Sequence, residues 1–154
     1  MTARSAIQAS FTVERVLEAP PPRVFACFAD GETKKRWACH DNWQTTAFDF
    51  RPGGREASSG GEPGGPVYDF DGVYQDIVPD QRIVFAFEMR RDGVRFSVSV
   101  GTIQFEPHPR GTRLLFTEQG VFLDGHDDPA QREQGSGVRL DNLAEMLRRE
   151  AATA

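Results

Sequence analysis

The sequence predicts an α+β protein, a curved antiparallel sheet with two short helices after its first strand and a long C-terminal helix packed on the concave face. Three observations carry this. Between residues 42 and 122 apolar residues recur mostly at alternate positions, as strands require. The breaks between these runs are short and rich in Gly, Pro and Asp, and hairpin-length connections make neighbouring strands antiparallel. Residues 128–150 (DPAQREQGSGVRLDNLAEMLRRE) instead set Ser136, Leu140, Leu143 and Leu147 at helical spacing, with Ala144 beside them. Such a helix needs a surface to bury its stripe, and nearly everything upstream is strand.

Taken in order, residues 1–9 read as a loose lead-in and residues 10–154 as a single domain. Residues 10–18 (SFTVERVLE) alternate, with Phe11, Val13, Arg15 and Leu17 on one side. The prolines at 20–22 stop this strand and open a short helix over 22–29, where Val24, Phe25 and Phe28 share a side. Asp30 is placed to cap a second helix over 32–38. Residues 43–50 form a strand that ends at Arg51-Pro52-Gly53-Gly54, and 55–59 a short one. Residues 60–66 (GGEPGGP) have no periodicity and read as a hairpin tip. A long strand covers 67–78, with Gly72 expected at a bulge or a close backbone approach. Pro79-Asp80 turns the chain into a strand over 83–90. Asp92-Gly93 is a two-residue hairpin signal. Strands over 94–105 and 112–122 follow, separated by a loop over 107–111. Asp128 caps the last helix, and Pro129 sits where its missing N–H costs nothing.

The chain has 154 residues, 38% hydrophobic and 27% charged, which suits one domain with a real core. A formal net charge of −5 argues against general nucleic-acid binding. No run approaches a membrane span and no apolar signal core is present, so the cytoplasm is expected. Cys27 and Cys39 form no CxxC pair and read as reduced thiols. No metal or cofactor is expected: the histidines lack ligand spacing, and Gly53-Gly54 and Gly60-Gly61 lack the spacing of a phosphate loop.

The order β-αα-β(6)-α resembles the helix-grip fold of the START-like, or SRPBCC, superfamily. Within it the chain resembles the bacterial single-domain proteins similar to the activator of heat-shock-protein ATPase. The matching stretches are Ala19-Pro20 with Val24-Phe25, Lys35-Arg36-Trp37, Arg51-Pro52-Gly53-Gly54, Asp71-Gly72-Val73-Tyr74, Ile77-Val78-Pro79, Arg82-Ile83-Val84-Phe85 and Gly111-Thr112-Arg113-Leu114, with residues 135–143 in the last helix. The resemblance implies a cavity between sheet and helix that takes a small hydrophobic molecule, or a role on a chaperone, or cyclase or dehydratase chemistry. Fold does not choose among these. Two positions depart from the family pattern. Ser136 follows Gly135 where members often carry tryptophan, and Glu118 stands where the last strand commonly has histidine. The serine implies either a wider cavity or local repacking.

The candidate ligand-binding residues are Trp37, Trp43, Phe48, Phe50, Tyr74, Phe85, Phe87, Phe116, Glu118, Ser136 and Leu140. The aromatics alternate along the strands, as a greasy pocket or a dense core requires; Tyr68, Phe70 and Phe96 belong to the same set. Alternation puts Glu118 on one face with Leu114 and Phe116. There it faces an apolar cavity, with a raised pKa and an acid/base or ligand-binding role, or it is solvated or pairs with an arginine. Glu118 and Tyr74 are the candidates for any catalysis. Cys39-His40-Asp41 has the residue types of a nucleophile set, but neighbours in a loop point apart. Lys34-Lys35-Arg36 reads as a solvated basic face. A homodimer through a sheet edge or the aromatic surface is also compatible with the pattern.

Overall fold

The computed structural model describes residues 3–39 and 42–154. Seven strands form one antiparallel sheet in the order β1-β7-β6-β5-β4-β3-β2. The strands are β1 (Ala6–Leu17), β2 (Trp43–Phe48), β3 (Arg55–Gly60), β4 (Tyr68–Val78), β5 (Arg82–Arg91), β6 (Val94–His108) and β7 (Gly111–Leu123). Two short helices, α1 (Pro21–Ala29) and α2 (Gly31–Ala38), follow β1, and α3 (Pro129–Thr153) closes the chain. This is the α+β helix-grip arrangement that the sequence predicts.

Local chemistry explains the boundaries. Proline opens α1 and α3 in the first turn, where no N–H partner is needed. Asp30 accepts from the Thr33 N–H at 3.2 Å and Asp128 from the Ala130 N–H at 2.9 Å, so both expected caps form. Asp92 and Gly93 both take positive φ, 48° and 80°, which matches the twist of a two-residue hairpin.

Two expectations are corrected. The lead-in is ordered from Ala6, because β7 runs on to Leu123 and offers Ala6–Ala9 a partner. Residues 107 and 108 belong to β6 and not to a loop. β5 leaves the ladder at Arg82, opposite Gln104, so beyond that point β6 has a strand on one side only and tolerates Pro107. Of the two readings of Gly72, the close approach holds: it sits in register, opposite Glu56 and Phe87, and a Cβ there would meet the Phe70 ring and Phe87 Cβ at 3.2 Å. The register shift in β4 falls instead between Tyr74 and Asp76, so Tyr74 and Ile77 both reach the core despite their odd spacing. A second shift, between Met89 and Arg90 of β5, leaves Phe96 and Ser97 of β6 both buried.

The core fills one half of the concave face. Val24, Phe25, Cys27 and Phe28 of α1 pack with Leu17, Ile103, Phe105 and Leu114 of the sheet and with Leu143 and Leu147 of α3. Phe105 makes edge contacts with Phe25 and Phe28, ring centroids 5.6 Å apart in each case. α3 lies against β1 and α2. Gly137 faces β1: a Cβ there would come 3.0 Å from Arg15 Nη2, and Arg15 crosses at this point to pair with Asp141 at 2.7 Å.

Candidate functional site

The other half of the concave face is open. Beneath the N-terminal half of α3 lies a cavity of 1010 Å³, bounded by α2, the β2–β3 hairpin and the inner faces of β4 to β7. That reaches the upper end of the range for small-molecule sites, about 300–1,000 Å³.

Its floor is aromatic. Phe85 and Phe87 stack at 5.2 Å, Phe87 meets Phe70 at 5.1 Å, and Phe85 lies nearly parallel to Phe116 at 6.4 Å. Gly101 makes this floor flat. It lies opposite Phe85 in the ladder, and a Cβ there would fall 2.5 Å from the Phe85 ring. The side of the cavity under α3 is open by default of side chains. A Cβ at Gly135 would meet nothing within 4 Å, and the small Ser136 side chain lines the cavity. The space is open rather than repacked.

Two polar clusters flank the floor. At the first, Glu118 is 2% exposed, and its Oε2 accepts from Arg132 at 2.7 Å and from the Ser99 hydroxyl at 2.8 Å. Arg132 also donates to Ser97 Oγ at 2.8 Å and pairs with Asp127 at 3.0 Å. Its guanidinium stands 4.9 Å from the Phe122 ring centroid and 5.8 Å from that of Phe96. Of the alternatives for Glu118, the structure selects an inward-facing carboxylate paired with an arginine. At the second cluster, Lys34 Nζ pairs with Glu56 at 2.6 Å, and the Tyr74 hydroxyl donates to the same carboxylate. Lys34 and Glu56 are 16% and 15% exposed, so Lys34 is not part of a solvated face; only Lys35 and Arg36 are. Burial, the largest effect, pulls the Lys34 ammonium below the ordinary lysine range, and Glu56 opposes it. Burial pushes the Glu56 carboxyl up, but Lys34 and the Tyr74 hydroxyl outweigh it and hold it below the usual carboxylate range. Burial, then the Glu56 charge, raises the Tyr74 phenol.

All the candidate ligand-binding residues but Phe50 and Tyr74 line the cavity. Trp37 does so with one edge only: it is 4% exposed, its indole N–H donates to the Cys27 carbonyl at 3.0 Å, and it packs on Phe28. Leu140 is likewise mostly core, at 5%. Trp43 leans on the backbone of Gly60 at the mouth, and Phe48 lies beside Gly31 and under Lys34. Phe50 and Tyr74 contact each other at 4.9 Å and line a separate gap of about 20 Å³ beside Glu56, room for a single water. Both belong to the core: Tyr74 is buried in it, and Phe50 packs against it with its ring 5.7 Å from that of Phe25. Sequence reasoning missed Arg132, Ser97, Ser99 and Glu56. The alternation of Ser97, Ser99, Gly101 and Ile103 along one face of β6 was the available signal for the serines. Cys39 lines the cavity; His40 and Asp41 lie outside the described residues. Among the described residues no cluster of His, Cys, Asp and Glu is placed to hold a metal, and no helix is long and apolar enough to cross a membrane.

The sequence profile of the Activator of Hsp90 ATPase homolog 1-like protein family matches residues 18–148. The chain belongs to this family. An uncharacterised protein from Rhizobium leguminosarum is 45% identical to it, over 96% of this chain and 99% of that one, with a TM-score of 0.89. Protein Mll3558 from Rhizobium loti is 44% identical over 92% and 98% of the two chains, with a TM-score of 0.86. Protein CV1439 from Chromobacterium violaceum shares the fold, with a TM-score of 0.76 at 24% identity over 90% of this chain and 96% of that one. No functionally curated protein matches the sequence. Membership accounts for the helix-grip architecture.

Proposed function

We propose that this protein binds a small, largely apolar molecule between the sheet and α3, without turning it over. The observation that carries this reading is the 1010 Å³ cavity over the Phe70–Phe85–Phe87–Phe116 floor. Burying apolar ligand area there contributes about 25 cal/mol per Å² before the cost of immobilising the ligand. Acid/base catalysis by Tyr74 gains no support. Its hydroxyl is committed to Glu56, and it stands outside the cavity lining.

A titration with the neutral fluorescent probe N-phenyl-1-naphthylamine tests the proposal. Saturable one-site binding is expected. Ser136→Trp, which puts an indole into the cavity, should weaken it by about tenfold or more while the melting temperature holds or rises, as cavity filling does. The absence of saturable binding to the wild-type protein, or undiminished binding to the tryptophan variant, would overturn the proposal.

A further inference from the structure

Glu118 is more than the partner of Arg132. Both of its described hydrogen bonds, from Arg132 and from Ser99, end on Oε2. Oε1 accepts from no described residue, yet no buried polar side-chain atom among the described residues lacks a partner. Oε1 therefore keeps access to open space, and Glu118 lines the cavity. The charge around it is unbalanced: Glu118 and Asp127 share the single Arg132 guanidinium, which leaves one net negative charge. The carboxylate also adjoins the aromatic floor. Glu118 lies opposite Gly101 in the ladder, the Phe85 ring covers Gly101, and Phe116 is the next inward residue along β7.

We infer that the ligand is a planar aromatic molecule bearing a hydrogen-bond donor, a hydroxyl or an N–H, which stacks on Phe85 and Phe116 and donates to Glu118 Oε1. This deepens the reading of the cavity as a ligand site and rests on it. A donor-free aromatic of the same shape would strip water from Oε1 and return nothing, and an acceptor left buried and unpaired is costly. Arg132 spends three of its five N–H donors on Glu118, Ser97 and Asp127, and Glu118 Oε1 is the carboxylate oxygen left over beside the aromatic floor.

The test compares 1-naphthol with 1-methoxynaphthalene by isothermal titration calorimetry. The pair shares a ring system, and only the first can donate. The wild-type protein should bind 1-naphthol about tenfold more tightly or better. In Glu118→Gln the amide oxygen must turn to Arg132, which presents an NH2 donor to the cavity; the preference should fall to within about twofold. Equal binding of both probes to the wild-type protein overturns the donor assignment and leaves the cavity reading standing. An undiminished preference in Glu118→Gln overturns it as well. Failure of both probes to bind the wild-type protein overturns the two together. The wild-type comparison decides by itself if the variant, checked by circular dichroism, does not fold.

Discussion

The Lys34–Glu56–Tyr74 cluster holds α2 to the sheet through charges that are mostly out of water. Glu56 is ionised more readily in the folded protein than in the unfolded chain, so its contribution to stability is complete above the ordinary carboxylate value of 4.5. That contribution drains away as the pH falls through the lower folded value. Glu56→Gln leaves the Lys34 ammonium without its counter-charge and should cost about 2–4 kcal/mol at pH 7. The gap between wild type and variant should then narrow below pH 4.5, as measured by urea unfolding across pH 7 to 3. A gap that stays constant to pH 3 would show that the ion pair does not stabilise the fold. This is also the scale at which the sequence was least legible. Lys34 reads as surface in a run of three basic residues, and its partner is 22 positions away. Arg132 meets Ser97 across 35 positions. No local period records such pairings, because they exist only once sheet and helix have met.

At the scale of elements, the sequence is informative wherever a residue's own backbone chemistry decides. The proline starts, the aspartate caps and the Asp92-Gly93 turn are all where the residue types put them. It fails where a neighbour decides. The start of β1 depends on how far β7 extends, and the register shift at Gln75 depends on β5. The α3 stripe was legible from its helical spacing: Leu140, Leu143 and Leu147 are buried, as spaced, while Val138 is 50% exposed. Leu143→Ala, at 0% exposure, should lose about 2–5 kcal/mol, whereas Val138→Ala should stay within about 0.5 kcal/mol. Denaturant midpoints of the two variants measure this directly. Equal losses would mean that α3 does not dock on the concave face.

Across the whole molecule, the concave face is divided between two uses. α1 and the C-terminal half of α3 fill one half with core, and the N-terminal half of α3 roofs the other without filling it. The division follows from residue sizes. Leucines at 140, 143 and 147 close the helix onto the sheet, whereas Gly135 and Ser136 stand off from a floor levelled by Gly101. The convex face carries a row of exposed apolar side chains, Val73 and Val100 flanking Ala86, with Val98 close by. In the proposed function the ligand binds on the concave side alone. The measurement that tests this most directly is a titration of the isotopically labelled protein with 1-naphthol, followed by amide chemical shifts. Saturable shifts centred on Phe85, Phe87, Gly101, Phe116 and the Gly135–Ser136 turn of α3 are expected, with the convex valines unmoved. Shifts centred on Val73, Val98 and Val100, or none that saturate, would contradict it.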